Sequence, residues 1–192
     1  MIAIVERFAA ILTIVAALAA VATLVALVTR RVPDWLRDTA ALPFATAIAL
    51  AATVGSLFMS EVANYTPCEL CWYQRIAMYP LVVVLGVASW RRDGQVWRTA
   101  VPIGAVGTVI AAWHVAIERR PALGGLCDPA APCSLRWVEE LGFLTLPMMA
   151  GVGFLAIIVL SLAARPETAV TRETVAADRH PRDEPTTPDG TP

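Results

Sequence analysis

Residues 66–75 read TPCELCWYQR and place Cys68 and Cys71 in C-x-x-C spacing at the start of a long apolar segment. If that segment is a membrane helix, both cysteines lie on its opening turn. A helix N-terminus carries partial positive charge and unpaired N–H groups, which favour a thiolate over a thiol. The stretch therefore predicts a reactive cysteine pair more readily than two inert structural cysteines.

Capping residues indicate where this helix starts. Thr66 and Glu69 have the S/T-x-x-E spacing of a capping box. Pro67 then falls at the first helical position, where its missing N–H costs nothing. We therefore expect the helix to begin at Pro67.

The composition is that of an integral membrane protein. Of the 192 residues, 57% are hydrophobic and only 16% are charged, which is too apolar for an ordinary soluble domain of this length. The formal net charge of −1 argues against a nucleic-acid partner. The expected surroundings of the chain are therefore the lipid bilayer.

Five runs of the sequence lack charged side chains and are long enough to be considered as membrane-spanning helices. Four of them reach the roughly 18–20 residues that a spanning helix needs. The third does so when it is extended back to Pro67, which brings Arg75 into the span. Because the alternating segments of a β-barrel are missing from the sequence, we predict an all-α membrane protein whose spans form one bundle. The five runs are Phe8 to Thr29, Thr39 to Ser60, Ile76 to Trp90, Thr99 to Ile117, and Leu141 to Ala164.

Arginine positions predict the orientation of the spans. Segments 30–38 and 91–98 and the tail after Ala164 are all rich in arginine, and positively charged loops tend to stay in the cytoplasm. With five spans, the stretch 61–71 and the loop 118–140 then face outward. Both cysteine pairs of the chain are therefore expected on the extracytoplasmic, oxidising side, and the C-terminus in the cytoplasm.

The first run could alternatively be a cleaved signal peptide, because small residues within it offer cleavage sites. Its apolar run is longer than the roughly 7–15 residues that are usual for a signal peptide. Cleavage would also leave Arg30 and Arg31 outside and invert the topology of everything after them. We therefore favour a retained first span.

Cys127 and Cys133 bracket a short loop that contains two prolines. A disulfide that closes such an exposed segment would be accessible to an incoming thiolate. The mixture of apolar and charged residues over 135–141 then predicts an amphipathic helix lying in the membrane interface. A structural zinc site is the rival use for four cysteines, but such sites favour C-x2–4-C knuckles in soluble folds. We expect a relay between two dithiol pairs, and no metal.

Arg75 and His114 are the polar residues of the spans that most need an explanation. Arg75 follows Cys71 by four residues on one helical face, and an ionisable group within a span is by default a functional-site hypothesis. Its guanidinium could stabilise a Cys71 thiolate or donate to the carbonyl oxygens of a membrane-soluble oxidant. An arginine reaching out to the lipid headgroups is the alternative. His114 lies near the outer end of its span and could donate to the same ligand.

The segment from Ser60 to Leu81 strongly resembles the DsbB/BdbC family of bacterial membrane thiol–disulfide oxidoreductases, and most closely its BdbC-type members. The resemblance covers four spans, a C-x-L-C-x-x-Q-R signature, a histidine before the second outer loop, and a cysteine pair in that loop. It implies a multi-pass protein of the bacterial cytoplasmic membrane. It covers a DsbB-type four-helix redox bundle over 39–164. The chain departs from that four-span pattern by an additional N-terminal transmembrane helix and cytoplasmic loop over 1–38, and the polar composition after the last span predicts a disordered cytoplasmic tail over 165–192.

The resemblance also implies a quinone-dependent relay that reoxidises a DsbA/BdbD-like thioredoxin-fold oxidase and so supports disulfide formation in exported proteins. Cys127 would be attacked by the reduced partner. Cys133 would then form a transient bond with Cys68, leaving Cys71 to pass two electrons to either a ubiquinone or a menaquinone. The quinone-binding residues implied in this way are Cys71, Arg75 and His114.

Two other functions are compatible with a membrane bundle that carries four cysteines. A vitamin K epoxide reductase-like enzyme also combines a helical bundle, a quinone and cysteine relays, but its quinone-proximal C-x-x-C follows the loop cysteines, whereas here it precedes them. A non-catalytic membrane binding module with two static disulfides is the alternative from another class. Static disulfides would resist reductants to which a redox-active pair responds.

Overall fold

The computed structural model describes residues 2–124 and 127–166, and the polypeptide within these ranges is mainly helical. Five helices, named α1 to α5, are long and apolar enough to cross a membrane. This confirms the prediction of an all-α membrane protein with one helix in addition to a bundle of four. The helices span Ile2–Val28 (α1), Ala41–Glu61 (α2), Glu69–Arg91 (α3), Trp97–Arg119 (α4) and Leu146–Ala163 (α5).

Short elements connect the long helices. A π-helical turn over Leu36–Ala40 leads directly into α2, and a 3₁₀ turn over Gly94–Val96 leads into α4. A second 3₁₀ turn, Pro121–Leu123, follows α4. Two short antiparallel strands, Glu139–Glu140 (β1) and Leu144–Thr145 (β2), precede α5.

Helix α5 lies at the centre of the bundle, because it packs against α1, α2 and α4. Close approach of α4 and α5 depends on two glycines of α4. A methyl group on Gly107 would overlap the ring of the fully buried Phe154, and one on Gly104 would come within 2.9 Å of the Ile158 side chain. Small residues of this kind let membrane helices pack backbone against side chain without a gap. These glycines therefore hold the middle of α4 close against α5.

The predicted start of α3 was wrong by two residues. Helix α3 begins at Glu69, and Cys68 is its N-cap, with an extended backbone at φ −77° and ψ 173°. The Cys68 Sγ accepts a hydrogen bond from the Cys71 backbone N–H at 3.4 Å. The Cys68 sulfur thus accepts from one of the unpaired N–H groups at the helix start. The capping-box prediction assigned this role to Thr66. The cysteine itself is therefore part of the cap.

The region before α5 also differs from the prediction. Residues 139–145 form the β1–β2 hairpin, so α5 begins at Leu146 rather than at Leu141, and the predicted interfacial helix over 135–141 is wrong. Leu141 and Gly142 both have positive φ, of 57° and 75°, which reverses the chain and ends any helical path. Pro147 then lies in the first turn of α5, where proline is well tolerated. The C-terminal tail, predicted to be disordered, lies outside the described residues from position 167 onward.

Candidate redox site

The first cysteine pair lies at the end of the bundle where α3 begins. The Sγ atoms of Cys68 and Cys71 are 3.0 Å apart, and both cysteines are free thiols. Cys68 is buried and Cys71 is partly exposed. The two sulfurs are thus close enough to share a proton, and the predicted reactivity of the pair stays a prediction.

Hydrogen bonds make Cys68 the more acidic thiol of this state. The hydrogen bond from the Cys71 thiol, together with those from His114 and from the Cys71 backbone N–H, lowers the pKa of Cys68 to about 4, although burial acts in the opposite direction. The thiolate predicted from the helix N-terminus therefore falls on Cys68 while neither cysteine of the pair is bonded. The role that the resemblance implies for Cys71, of passing electrons to a quinone, stays a prediction.

His114 of α4 is almost completely buried, with 2% of its surface exposed, and contacts both cysteine pairs. Its Nε2 lies 3.6 Å from the Cys68 Sγ and 3.1 Å from the Cys133 backbone oxygen. The Gln74 amide nitrogen lies 3.3 Å from Nδ1. Since an amide NH₂ donates, Nδ1 accepts, and Nε2 carries the proton that it donates toward Cys133. One imidazole therefore connects the start of α3 to the loop of the second pair.

The second pair forms a disulfide between Cys127 and Cys133. The segment inside the bracket is turned by Asp128, whose Oδ1 accepts a hydrogen bond from the Ala130 backbone N–H at 2.8 Å. Cys127 is partly exposed, whereas only 1% of Cys133 is exposed. The prediction of an exposed disulfide therefore holds for the Cys127 end and is wrong for the Cys133 end.

All four cysteines lie in one apolar cluster. Buried Cys68 and Cys133 pack together with Ile117 of α4, and Cys71 and Cys127 pack against them at the edge. One buried and one partly exposed cysteine of each pair thus belong to the same cluster. This is the arrangement that an exchange of disulfides between the pairs requires.

Arg75 is buried and points toward α2, away from the headgroup region. Its Nε donates to the Ser56 Oγ and its Nη2 to the Ser56 backbone oxygen, both at 2.9 Å. The guanidinium also lies 5.1 Å from the centroid of the Trp72 ring, within the range of a cation–π contact. The alternative of an arginine reaching out to the headgroups is therefore wrong. The contacts of Arg75 and of His114 involve different residues, so a single ligand touched by both stays a prediction.

Gln74, Ser56 and Glu118 belong to this site but were not singled out from the sequence. Gln74 stands in the quoted signature, directly before Arg75, and a buried amide there needs a partner. Glu118 follows His114 by four residues, which places both on one helical face. It is 6% exposed and accepts a hydrogen bond from the Thr145 hydroxyl at 2.7 Å. Ser56 carried no signal, because its role depends on how α2 packs against α3.

A small cavity lies beside the thiols. Its volume is ≈ 20 Å³, which is enough for about one water molecule. The lining combines reactive and apolar side chains and is formed by Cys68, Cys71, His114, Glu118, Pro132, Leu135, Trp137, Leu146 and Pro147.

The loop of the second pair is also tied to the rest of the protein through aromatic residues. The Tyr65 ring stacks on the Trp137 ring with centroids 4.9 Å apart. The Tyr65 hydroxyl donates to the Glu6 carboxylate of α1 at 2.7 Å, and this hydrogen bond raises the pKa of Tyr65. The additional helix α1 therefore contacts the segment just before the first cysteine pair.

Comparison with known proteins places this site in a family. A family model described as disulfide bond formation protein DsbB matches residues 37–164. The chain is 44% identical over 117 residues to a probable disulfide formation protein of Oceanobacillus iheyensis, covering 59% of this chain and 81% of the relative. It is 40% identical over 114 residues to disulfide bond formation protein C of Bacillus subtilis, covering 58% and 83%.

A third relative extends the match. The chain is 37% identical over 128 residues to a probable disulfide formation protein C 2 of Bacillus cereus, covering 66% of this chain and 91% of the relative. No solved structure gave a significant match. The matched region contains α2 to α5 and all four cysteines. By sequence and by the arrangement of its cysteines, the chain therefore belongs to the DsbB family of disulfide bond formation proteins.

Proposed function

We propose that this membrane protein of the DsbB family oxidises the dithiol of an extracytoplasmic thioredoxin-fold protein of the DsbA/BdbD type and passes the two electrons to a membrane quinone. The observation that carries the proposal is the single cluster of four sulfurs, with His114 in contact with both pairs. Static structural disulfides have no need of such a contact. Disulfide formation in exported proteins would be the result.

The exposure of the cysteines supports an order for the exchange. A thiolate of the partner reaches the partly exposed Cys127, forms a mixed disulfide with it and releases Cys133 as a thiolate. Cys133 attacks the Cys68 sulfur of an oxidised first pair, which forms the Cys133–Cys68 bond and releases Cys71. The second thiol of the partner then attacks the mixed disulfide, so the partner leaves oxidised and Cys127 becomes a thiolate. Cys127 finally attacks Cys133, which restores the second disulfide and leaves the first pair reduced.

In this scheme, the observed pairing of the cysteines would be that of the state after the exchange. The second pair is a disulfide, and the first pair is a dithiol that holds the two electrons. A low pKa at Cys68 supports the exchange, because a good leaving thiolate is one with a low pKa. His114 is placed to donate to whichever sulfur or carbonyl oxygen gains charge during the transfer.

The residues around Cys71 fit a quinone. Cys71 is partly exposed, and beside it the Trp72 side chain is 52% exposed, so that a flat apolar ring has a surface to lie on. The Arg75 guanidinium has five N–H donors, and Ser56 is bound through only two of its nitrogens. When bound, a quinone would supply the two-electron acceptor that the dithiol needs. Arg75 and Cys71 would contact the quinone from α3. His114 already contacts the two cysteine pairs and would lie farther from the quinone.

This function requires both pairs to face the extracytoplasmic side. The arginine-rich segments between α1 and α2 and between α3 and α4 support that orientation under the positive-inside rule. The partner and its exported substrates would then have access to Cys127, whereas the C-terminus would be cytoplasmic.

The test is quinone reduction, followed by absorbance, after a reduced DsbA-like protein is added to the purified chain. Ubiquinone and menaquinone analogues are tried in parallel. Turnover should vanish in Cys71→Ser and persist in Trp90→Phe, a matched control near the opposite end of α3, where Trp90 is 88% exposed. Turnover by Cys71→Ser, or none by the folded wild type with any quinone, would refute the proposal and favour a static disulfide module.

A further inference from the structure

Three metal-binding side chains converge at the first pair when it is reduced. The donor atoms of Cys68, Cys71 and His114 all lie within 4.8 Å of one another. The two Sγ atoms are 3.0 Å apart, and the His114 Nε2 lies 3.6 Å from the Cys68 Sγ. Two of the three residues are buried, and the third is partly exposed.

The distances suit a tetrahedral ion such as zinc(II). With Zn–S bonds of about 2.3 Å and a Zn–N bond of about 2.0–2.1 Å, tetrahedral angles place two sulfurs about 3.8 Å apart and sulfur and nitrogen about 3.6 Å apart. The distance from Cys68 to His114 already has this value. The two sulfurs would have to separate by less than about 1 Å, and partly exposed Cys71 has room to move.

His114 has a neighbour that can support the change in its ring. To bind a metal, Nε2 must give up its proton, and Nδ1 must carry it instead. Gln74 lies 3.3 Å from Nδ1, and its side-chain amide can rotate to present its oxygen as an acceptor. A ligating histidine almost always donates its other N–H to such a partner. The same change removes the hydrogen bond to the Cys133 backbone oxygen.

The cavity supplies the fourth position of the ion. It borders all three donors and has space for about one water molecule. The buried carboxylate of Glu118 lines the same cavity, so its negative charge would lie near the cation and could accept a hydrogen bond from the bound water. This cavity is an observation independent of the donor cluster.

We propose that the reduced first pair, together with His114, binds one thiophilic divalent cation of the zinc(II) class, and that binding halts the relay. The cation forms two metal–thiolate bonds, to Cys68 and to Cys71, and displaces the one proton that the two sulfurs share, so no oxidant or reductant is consumed. Once the pair is a disulfide, the site loses both sulfur ligands. The binding itself does not depend on the proposed function, and only the halt of the relay rests on it.

Binding is tested by titrating Cd²⁺, a spectroscopic substitute for Zn²⁺, into the full-length protein and following the thiolate-to-metal absorbance. The protein carries Cys127→Ser and Cys133→Ser together, so that only the first pair contributes thiols. One equivalent should bind to the reduced protein, Zn²⁺ should compete for the same site, and the oxidised protein should not bind. Adding Cys68→Ser should abolish the signal.

His114→Ala distinguishes this site from an ordinary pair of neighbouring thiols. Removing a supporting residue of a metal site costs about 10–100-fold in affinity, so loss of a ligand should weaken binding at least that much. Gln74→Met should weaken it less. Equal affinity in His114→Ala, or no binding by reduced protein whose circular dichroism spectrum matches that of the oxidised form, would overturn the proposal.

The consequence for the relay is measured separately. In the wild type, Zn²⁺ should stop quinone reduction when it is added to the reduced protein, and a chelator should restore it. Binding without inhibition would overturn the second half of the proposal. Absence of quinone turnover before any metal is added would count against the proposed function and would leave the binding result intact.

Discussion

The two cysteine pairs differ in how the chain holds them. Cys68 and Cys71 sit on the first turn of a long helix, where Cys68 serves as the cap and hydrogen bonds favour its thiolate. Cys127 and Cys133 sit in a loop, closed as a disulfide and shaped by a turn at Asp128. The first pair is thus positioned by secondary structure and the second by contacts with other elements. A relay needs this difference, because one pair must stay in place while the other exchanges partners.

The largest effect is expected when one cysteine is removed from either pair, and the two variants should stop the proposed relay at different steps. In Cys68→Ala, the partner should still reduce the Cys127–Cys133 disulfide, so about one equivalent of partner becomes oxidised and the reaction then stops. In Cys127→Ala, the partner should not react at all. Steady-state turnover should fall by at least about 10³-fold in both variants, since residues that act as a unit fail together. Counting oxidised partner per protein by thiol alkylation checks this, and continued turnover by Cys68→Ala would contradict the order.

The second prediction concerns the acidity that distinguishes Cys68. Because its pKa is lowered to about 4, Cys68 is a thiolate above that pH and becomes a thiol as the pH falls through it. Alkylation of Cys68 should therefore be nearly constant from pH 8 to pH 5 and should slow below pH 4. An ordinary thiol with a pKa of about 8.5 has only about one thiolate in 3,000 molecules at pH 5.

The acidity is measured by mass spectrometry of alkylated peptides, in protein that carries Cys127→Ser and Cys133→Ser. Adding Cys71→Ala removes the largest cause of the low pKa and should move the midpoint to higher pH. An unchanged midpoint in that variant would show that the Cys71 thiol is not the cause.

The third prediction concerns a variant that lacks the imidazole of His114, which contacts both pairs. His114→Ala loses the hydrogen bonds to the Cys133 backbone oxygen and toward the Cys68 sulfur. A hydrogen bond to a charged group contributes about 2 kcal/mol, so transfer between the pairs should slow by roughly 30-fold. Stopped-flow measurement of quinol formation after partner oxidation checks the rate. Gln74→Met keeps the imidazole and should have a smaller effect, and equal effects in the two variants would show that His114 acts only through packing.

The smallest expected effect concerns the support of the second pair by α1. Tyr65→Phe keeps the ring stack on Trp137 but loses the hydrogen bond to Glu6, which costs about 1 kcal/mol or less. Trp137→Ala removes the stack itself and should cost more. Thermal unfolding in detergent gives the stability, and the rate of reduction of the Cys127–Cys133 disulfide reports on the loop. A faster reduction in Tyr65→Phe than in Trp137→Ala would contradict this view of the support.

The differences between the predicted and observed elements have a common cause. The apolar runs were located correctly, because hydrophobicity over about 20 residues is enough to identify a spanning helix. The boundaries failed at Cys68 and at Leu141, where one side chain or one backbone turn decides whether a helix continues. A cysteine N-cap is not part of the usual capping pattern, and two consecutive residues with positive φ leave little trace in the sequence.

The site residues followed the same rule. The four cysteines could be selected as candidates by their paired spacing, and Arg75 and His114 because ionisable side chains are rare in spans. Their neighbours could not be assigned. Ser56 meets Arg75 only because α2 packs beside α3, and His114 meets Cys133 only because the loop folds back over α4.

The sequence by itself determined that this protein has five apolar helices, a C-x-x-C pair at a helix start and a second pair in a loop. These properties are local, since composition and spacing along the chain are sufficient to produce them. Tertiary packing is what brings Cys68 and Cys133 into one cluster, one imidazole into contact with both pairs, and Ser56 to the Arg75 guanidinium. Such contacts depend on which helix faces meet, and packing in three dimensions sets those faces because the hydrophobicity of a membrane helix is nearly the same all around.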